Sequence, residues 1–302
     1  MKKVDFFCIG AQKAGTTLLH DILNQHTGIY LPTEKEAHFF DVNEIYSKGL
    51  SFYFDRYFST YYNEKLIGNI NPNLQVEQRS IDRIIDCFGT DIKILFFLRN
   101  PVKRAYSHYL MSKKRGYEPL EFLEAIEKEK SRIENPVFHK DYESEELGHF
   151  EKNHFGYINR GLYSETLNYL YEKFPKENVR IYVLEEFLKD KQNTIKDIFT
   201  FLNIEEQQLN LNLKSNPAQK AKFIWVSKFL NTPSGLKDSF KRIFPDVIRK
   251  NFKKQIQKRN FKTISNQEKI VPYNYQDLKS IYFSDDIKNL EGLLERRIEI
   301  WD

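Results

Sequence analysis

The chain has 302 residues, 40% of them hydrophobic and 29% charged, with a formal net charge of +5. That length allows one α/β domain with a large core, and the balance of apolar and charged residues excludes a disordered chain. No stretch approaches about 18 consecutive apolar residues, so no membrane-spanning helix is expected. The two cysteines, Cys8 and Cys87, offer no metal-ligand spacing and fit a reducing compartment.

After Met1-Lys2-Lys3, the apolar run at 4–9 is too short for a signal peptide and lacks a small-residue cleavage site. It reads as a buried strand, and a cytoplasmic protein is expected. Residues 15–25 read as a helix with Leu18, Leu19, Ile22 and Leu23 at helical spacing, and a glycine-containing loop joins the two. Residues 69–72 read as a strand end entering a loop, followed by a helix over 75–87. A second buried strand is expected at 92–98, and Pro101 sits well as the first residue of a helix reaching about residue 115. The acidic stretch 118–155 is less periodic and reads as helix, then surface loop. A helix over 162–174 ends before Pro175 and precedes a strand at 179–184. Near the end, Leu278, Ile281, Tyr282, Ile287, Leu290, Leu293 and Leu294 form the apolar set of one or two closing helices.

Alternating strands and helices imply parallel βαβ units, hence an α/β fold whose P-loop-like parallel sheet is flanked by helices on both faces. Ligands then belong at the carboxyl ends of the strands. No repeat or low-complexity linker divides the chain, so residues 1–302 read as a single domain. Charge is unevenly spread. Residues 214–262 hold 14 Lys or Arg against two Asp, a local charge of +12, leaving −7 for the rest. Such a block faces an anionic acceptor, a membrane surface or nucleic acid, or is simply a solvated helical face.

The loop Gly10-Ala11-Gln12-Lys13-Ala14-Gly15-Thr16-Thr17 lies between strand and helix, where backbone amides and a helix dipole hold phosphate oxygens. Gly10 and Gly15 have Walker A spacing, but Thr16 occupies the lysine position and the lysine comes three residues earlier, at Lys13. Mg²⁺-dependent ATP or GTP hydrolysis is thereby disfavoured. A second constellation, Leu98-Arg99-Asn100-Pro101-Val102-Lys103-Arg104-Ala105-Tyr106-Ser107-His108-Tyr109, sets a guanidinium at a strand end and a hydroxyl two turns along the next helix. Such a pair suits one phosphate.

Together these segments resemble the two PAPS-binding motifs (PAPS is 3′-phosphoadenosine 5′-phosphosulfate, and PAP its desulfated product) of the sulfotransferase superfamily. The likeness is greatest to the branch of the heparan sulfate and other glycan sulfotransferases and their bacterial relatives. It implies that Lys13, Ala14, Gly15, Thr16 and Thr17 hold the 5′-phosphosulfate, and that Arg99 and Ser107 hold the 3′-phosphate. Similar phrases recur at Arg160-Gly161-Leu162-Tyr163, at 169–175 and at 183–190, so the likeness covers about residues 4–204, with a weaker echo in 278–301. The late Lys-Gly-Arg-x-His-Pro loop of the heparan enzymes is replaced by Ser215-Asn216-Pro217-Ala218-Gln219-Lys220-Ala221-Lys222. That departure leaves the nucleotide lid unassigned and argues against copying heparan specificity.

Sulfuryl transfer needs a base to take the acceptor's proton. In Pro32-Thr33-Glu34-Lys35-Glu36-Ala37-His38-Phe39-Phe40-Asp41 the resemblance assigns that base to Glu36, with Lys35, His38 and Asp41 orienting it or touching the acceptor. His38 and His108 are the rival bases, since the small-molecule branch uses a histidine. Lys13 has a second, catalytic role, in which its ammonium neutralises charge on the departing phosphate oxygen. No metal is expected. The implied partners are PAPS and an acceptor glycan, glycolipid or small molecule, with an anionic membrane surface against the basic segment and no nucleic acid. A P-loop kinase or NTPase, and a non-catalytic anion-binding protein, are the competing readings.

Overall fold

Five strands, β1 (Phe6–Gly10), β2 (Ile29–Tyr30), β3 (Leu66–Ile70), β4 (Lys93–Leu98) and β5 (Val179–Val183), form a sheet in the order β2-β3-β1-β4-β5. All neighbours pair in parallel, with Phe6 opposite both Gly68 and Lys93 and Ile94 opposite Val179. Every residue of β1 is buried, as is β4 beyond Lys93. A parallel sheet covered on both faces demands such unbroken apolar runs, which is why these two strands stand out in the sequence. Gly68 is required by close packing, since a Cβ there would fall 2.1 Å from the Phe6 ring.

The computed structural model describes residues 3–139, 144–213, 219–231, 255–256, 259–263 and 275–302. They belong to two compact units: Met1–Arg104, Ile158–Asn216 and Asn274–Asp302 in the first, Ala105–Tyr157 and Pro217–Tyr273 in the second.

The first unit holds the parallel sheet with its helices α1 (Thr16–Leu23), α2 (Asn43–Tyr46), α3 (Gly49–Tyr57) and α4 (Gln78–Phe88). The helix α5 (Pro101–Arg115) begins in it and continues into the second unit, which adds α6 (Phe122–Glu134) and α7 (His149–Phe155). The chain returns to the first unit for α8 (Ser164–Lys173), α9 (Leu184–Lys189) and α10 (Lys191–Leu202). A short antiparallel pair, β6 (Gln219–Ala221) with β7 (Phe261–Thr263), and α11 (Ile224–Asn231) belong to the second unit. Two closing helices, α12 (Tyr275–Tyr282) and α13 (Ser284–Leu294), complete the first.

The expected elements occur with small shifts. The helix expected from residue 75 starts at Gln78, because residues 71–77 turn back against the end of β1: Gln75 N donates to Ile9 O at 3.1 Å. The helix expected within 118–155 is α6, and the surface loop expected after it contains a second helix, α7. In the second unit the buried Glu118 carboxylate accepts from Arg132 at 2.7 and 3.2 Å and from the Tyr157 hydroxyl at 2.7 Å. Charge-assisted bonds of this kind offset the cost of burying the carboxylate.

An aromatic cluster positions the phrase around Glu36. Phe40 packs edge-on to Phe7 of β1 at 5.5 Å, and Phe39 lies 4.8 Å from Tyr53 of α3. Both phenylalanines are 1% exposed or less. Burial of each contributes about 1.5–3 kcal/mol, so the loop is fastened to the sheet just beyond its polar residues.

Candidate donor and acceptor site

The donor loop follows from where β1 stops and α1 starts. Gly15 is the N-cap of α1, with φ of 90°. A Cβ there would lie 2.6 Å from Leu184 Cδ1, so both conformation and packing call for glycine. No side chain caps α1 and no acidic residue stands in its first turn, which leaves the positive end of the helix suited to an anion. Thr16 is buried and Thr17 partly exposed. Gln12 Oε1 is buried without a hydrogen-bond partner, a polar atom at the loop that calls for a donor. These residues fit a phosphosulfate group: backbone amides and the Thr16 and Thr17 hydroxyls stand at the start of α1, with Lys13 in the same loop.

Arg99 ties the loop to the neighbouring strand. At the end of β4 its Nη1 donates to the Lys13 carbonyl at 3.0 Å. Burial pushes the guanidinium below the ordinary arginine value, with Glu185 acting in the opposite sense. Glu185 also accepts from Asn100 N at 3.2 Å and from Trp301 Nε1 at 3.1 Å. Asn100 in turn caps α5, its Oδ1 accepting from Lys103 N at 3.1 Å. The Tyr163 hydroxyl donates to the Arg99 carbonyl at 2.8 Å. The exit of β4 is therefore held by three segments far apart in sequence.

Lys35 joins the acceptor phrase to the donor loop. Its ammonium donates to Thr17 Oγ1 at 2.6 Å and to Glu36 Oε1 at 3.1 Å. Glu36 is about one-third exposed and has a φ of 66°, in the left-handed region that Lys13 also occupies at 73°. Such backbone is uncommon for residues with a Cβ and gathers at functional sites. His38 Nδ1 lies 2.7 Å from Asp41 Oδ2, and Asp41 Oδ1 accepts from Asn71 Nδ2 at 3.1 Å. Asn71 continues from β3, its amide donating to Cys8 O at 3.0 Å. This carboxylate-centred chain fixes the His38 ring relative to β1.

Of the residues singled out in the sequence, Lys13, Ala14, Gly15, Thr16, Thr17, Lys35, Glu36, His38, Asp41 and Arg99 all belong to the first unit, and Ser107 belongs to the second, partly exposed on α5. His108 is fully buried there, with Nδ1 3.2 Å from Gly156 O and Nε2 3.1 Å from Asn153 O. Buried, with both nitrogens turned to carbonyl oxygens, the ring presents neither nitrogen outward to an acceptor. Asn71, Glu185 and Trp301 carry no site signal of their own in the sequence. Their contacts span long stretches of chain, and two of them are touched only by the family phrase at 183–190 and the echo at 278–301. Most of the basic segment lies outside the described residues, as do residues 215–218 at the start of the lid phrase. Among the described residues no helix is long and apolar enough to cross a membrane.

The chain resembles known proteins in the same sense. It is 26% identical to the membrane-associated sulfotransferase kil1 of Dictyostelium discoideum, over 66% of this chain and 56% of that protein. It is 33% identical to heparan sulfate glucosamine 3-O-sulfotransferase 5 of Mus musculus, over 33% of this chain and 28% of that one. The chain thus spans about half the length of the first relative and less of the second. A sulfotransferase from Alicyclobacillus acidocaldarius shares the fold, with a TM-score of 0.67 at 23% identity, covering 100% of this chain and 99% of that one. The sequence model of the sulfotransferase domain matches residues 3–270. Because that match takes in the donor loop, the Glu36 phrase and Arg99 alike, the chain belongs to the sulfotransferase domain family.

Proposed function

We propose that this chain transfers the sulfuryl group of PAPS to a hydroxyl or amine on a glycan or glycolipid. The observation that carries the reading is the Lys35 bridge, a single ammonium within 3.1 Å of both the donor-loop hydroxyl of Thr17 and the Glu36 carboxylate. In-line transfer needs a base and a donor cradle held in fixed relation, and a side chain that contacts both supplies it.

In this reading Ala14, Gly15, Thr16 and Thr17 offer amides and hydroxyls to the 5′-phosphosulfate at the positive end of α1. Arg99 takes the 3′-phosphate. Glu36 accepts the acceptor's proton while its oxygen or nitrogen forms the new bond to sulfur. As the S–O bond to the phosphate breaks, its electron pair leaves with PAP, and Lys13 neutralises the charge growing on that oxygen. Lys35, His38 and Asp41 hold the carboxylate and the acceptor in place. The metal-free route rests on these fixed cations.

The glycan class is supported by the mouse relative, whose name gives heparan sulfate glucosamine as its substrate. Peripheral attachment at an anionic membrane surface, from the cytoplasm, is supported by the basic segment and by the membrane-associated Dictyostelium relative. We treat the 302 residues as one catalytic domain, because the chain passes between its two units four times and neither unit is a continuous segment.

Labelled PAPS offered with glycan, glycolipid and phenolic acceptors tests the proposal. Transfer to a phenol alone would overturn the acceptor class, and a protein that does not bind PAP would overturn the donor.

A further inference from the structure

The segment around α11 has its polarity reversed. Among its described side chains Ser227 is the most buried, 1% exposed, whereas Phe223, Ile224 and Trp225 are 58, 47 and 71% exposed. An amphipathic helix on a protein core does the opposite. The exposure does not come from a loosely held end. Asn260, itself buried, accepts from Phe223 N through Oδ1 at 2.9 Å and donates through Nδ2 to Phe223 O at 3.0 Å and Ser227 Oγ at 3.1 Å. Lys222 N donates to Asn260 O at 2.6 Å. At the other end of α11, Asn231 Nδ2 donates to Arg115 O at 3.1 Å. A buried amide and two backbone anchors therefore hold three consecutive large apolar side chains outward.

The stretch of sequence that carries this tip is strongly basic. Lys222 and Arg259 are exposed, and residues 214–262 carry +12 in sequence with no Glu among them. An aromatic and aliphatic tip with exposed cations beside it at Lys222 and next to its Asn260 anchor at Arg259, in a stretch of chain this basic, matches the interface of a bilayer containing anionic lipid: cations meet headgroup phosphates and carboxylates while indole and phenyl rings settle at the acyl boundary. We propose that Phe223, Ile224 and Trp225 form a membrane-insertion tip that seats the second unit on anionic lipid. This deepens the peripheral attachment proposed above and is independent of the chemistry assigned to Glu36 and Lys13.

The molecule carries its own reporter. It has two tryptophans, of which Trp301 is 1% exposed and Trp225 71%. With vesicles of phosphatidylcholine plus phosphatidylserine, the full chain should show a blue shift of its emission and quenching by brominated acyl chains. Both signals should vanish in Trp225→Phe, weaken with added salt and be absent with phosphatidylcholine alone. In sedimentation with the same vesicles, Ile224→Ser combined with Trp225→Ser should lower the bound fraction on the order of 10-fold. That variant should keep the PAP-induced rise in melting temperature, which separates this proposal from the fate of the donor site. No shift in the wild type, or sedimentation unchanged by the double substitution, would overturn the proposal. So would protection of Trp225 from acrylamide before vesicles are added, since the tip is then covered by the chain's own 232–254 segment or by a second copy. Bromolipid quenching is read on the wild type, so the outcome stands even if the double variant folds poorly.

Discussion

Glu36→Gln removes a base with almost no change of shape, and the geometry allows its two effects to be separated in size. Glu36 is 35% exposed and its partner Lys35 21%. An ion pair so placed is screened by solvent and contributes about 0–1 kcal/mol to stability, so the melting temperature should move little. Loss of a positioned general base costs about 10²–10⁴-fold in rate, or roughly 3–5 kcal/mol of barrier. The decrease should fall on kcat. The amide still hydrogen-bonds the acceptor, so KM should hold within a few-fold, and PAP affinity should stay near wild type. Lys35→Met supplies the second arm: it should lower kcat by itself, yet add little in the Glu36→Gln background, because there is no longer a carboxylate to hold. Initial rates with labelled PAPS, alongside PAP titrations of each variant, measure all of this. If Glu36→Gln turns over normally while His38→Ala is folded and inactive, the base has been misassigned. Additive losses from Lys35 and Glu36 would show that the bridge does not couple base and donor loop.

PAP should raise the melting temperature by linkage whereas Mg·ATP should do so weakly or not at all, and Lys13→Ala and Arg99→Ala should each blunt the shift. A full shift in both variants would put the nucleotide elsewhere. Gly15→Ala should destabilise the fold by about 1–3 kcal/mol and abolish PAP binding, since its φ is 90° and the new Cβ meets Leu184 Cδ1 at 2.6 Å. Adding Leu184→Ala should recover part of the stability, and no recovery would mean that backbone conformation alone sets the requirement. Turnover should survive EDTA; loss that a divalent ion restores would rule out charge stabilisation by Lys13 and loop amides alone.

The elements legible in the sequence are those whose burial is complete or whose ends are chemically marked. β1 and β4 read as strands because both faces are covered and the apolar run is unbroken. The start of α5 is marked by Pro101, and that of α1 by Gly15. The two-residue β2 and the three-residue β6 and β7 carry no such mark, because a period of two needs more residues than they possess. The division into two units is not legible either: the charge changes near the crossings at 157 and 216, but nothing marks those at 104 and 273, and neither unit is a continuous segment.

The same distinction runs through the candidate site. The donor loop, Arg99 and the Glu36 phrase are local patterns, and their residue types at fixed spacing carry the resemblance to the family's motifs before any fold is known. What joins them is not local. Lys35 meets Thr17 across 18 positions, Asn71 meets Asp41 across 30 and Trp301 meets Glu185 across 116. Covalent spacing determines which groups the chain carries and which helix end or strand end bears them. Partners at such separations are chosen only when the parallel strand order β2-β3-β1-β4-β5 brings the segments that follow β1, β2, β3 and β5 to the carboxyl end of the sheet, because a hydrogen bond of about 3 Å depends on tertiary packing and not on distance along the chain.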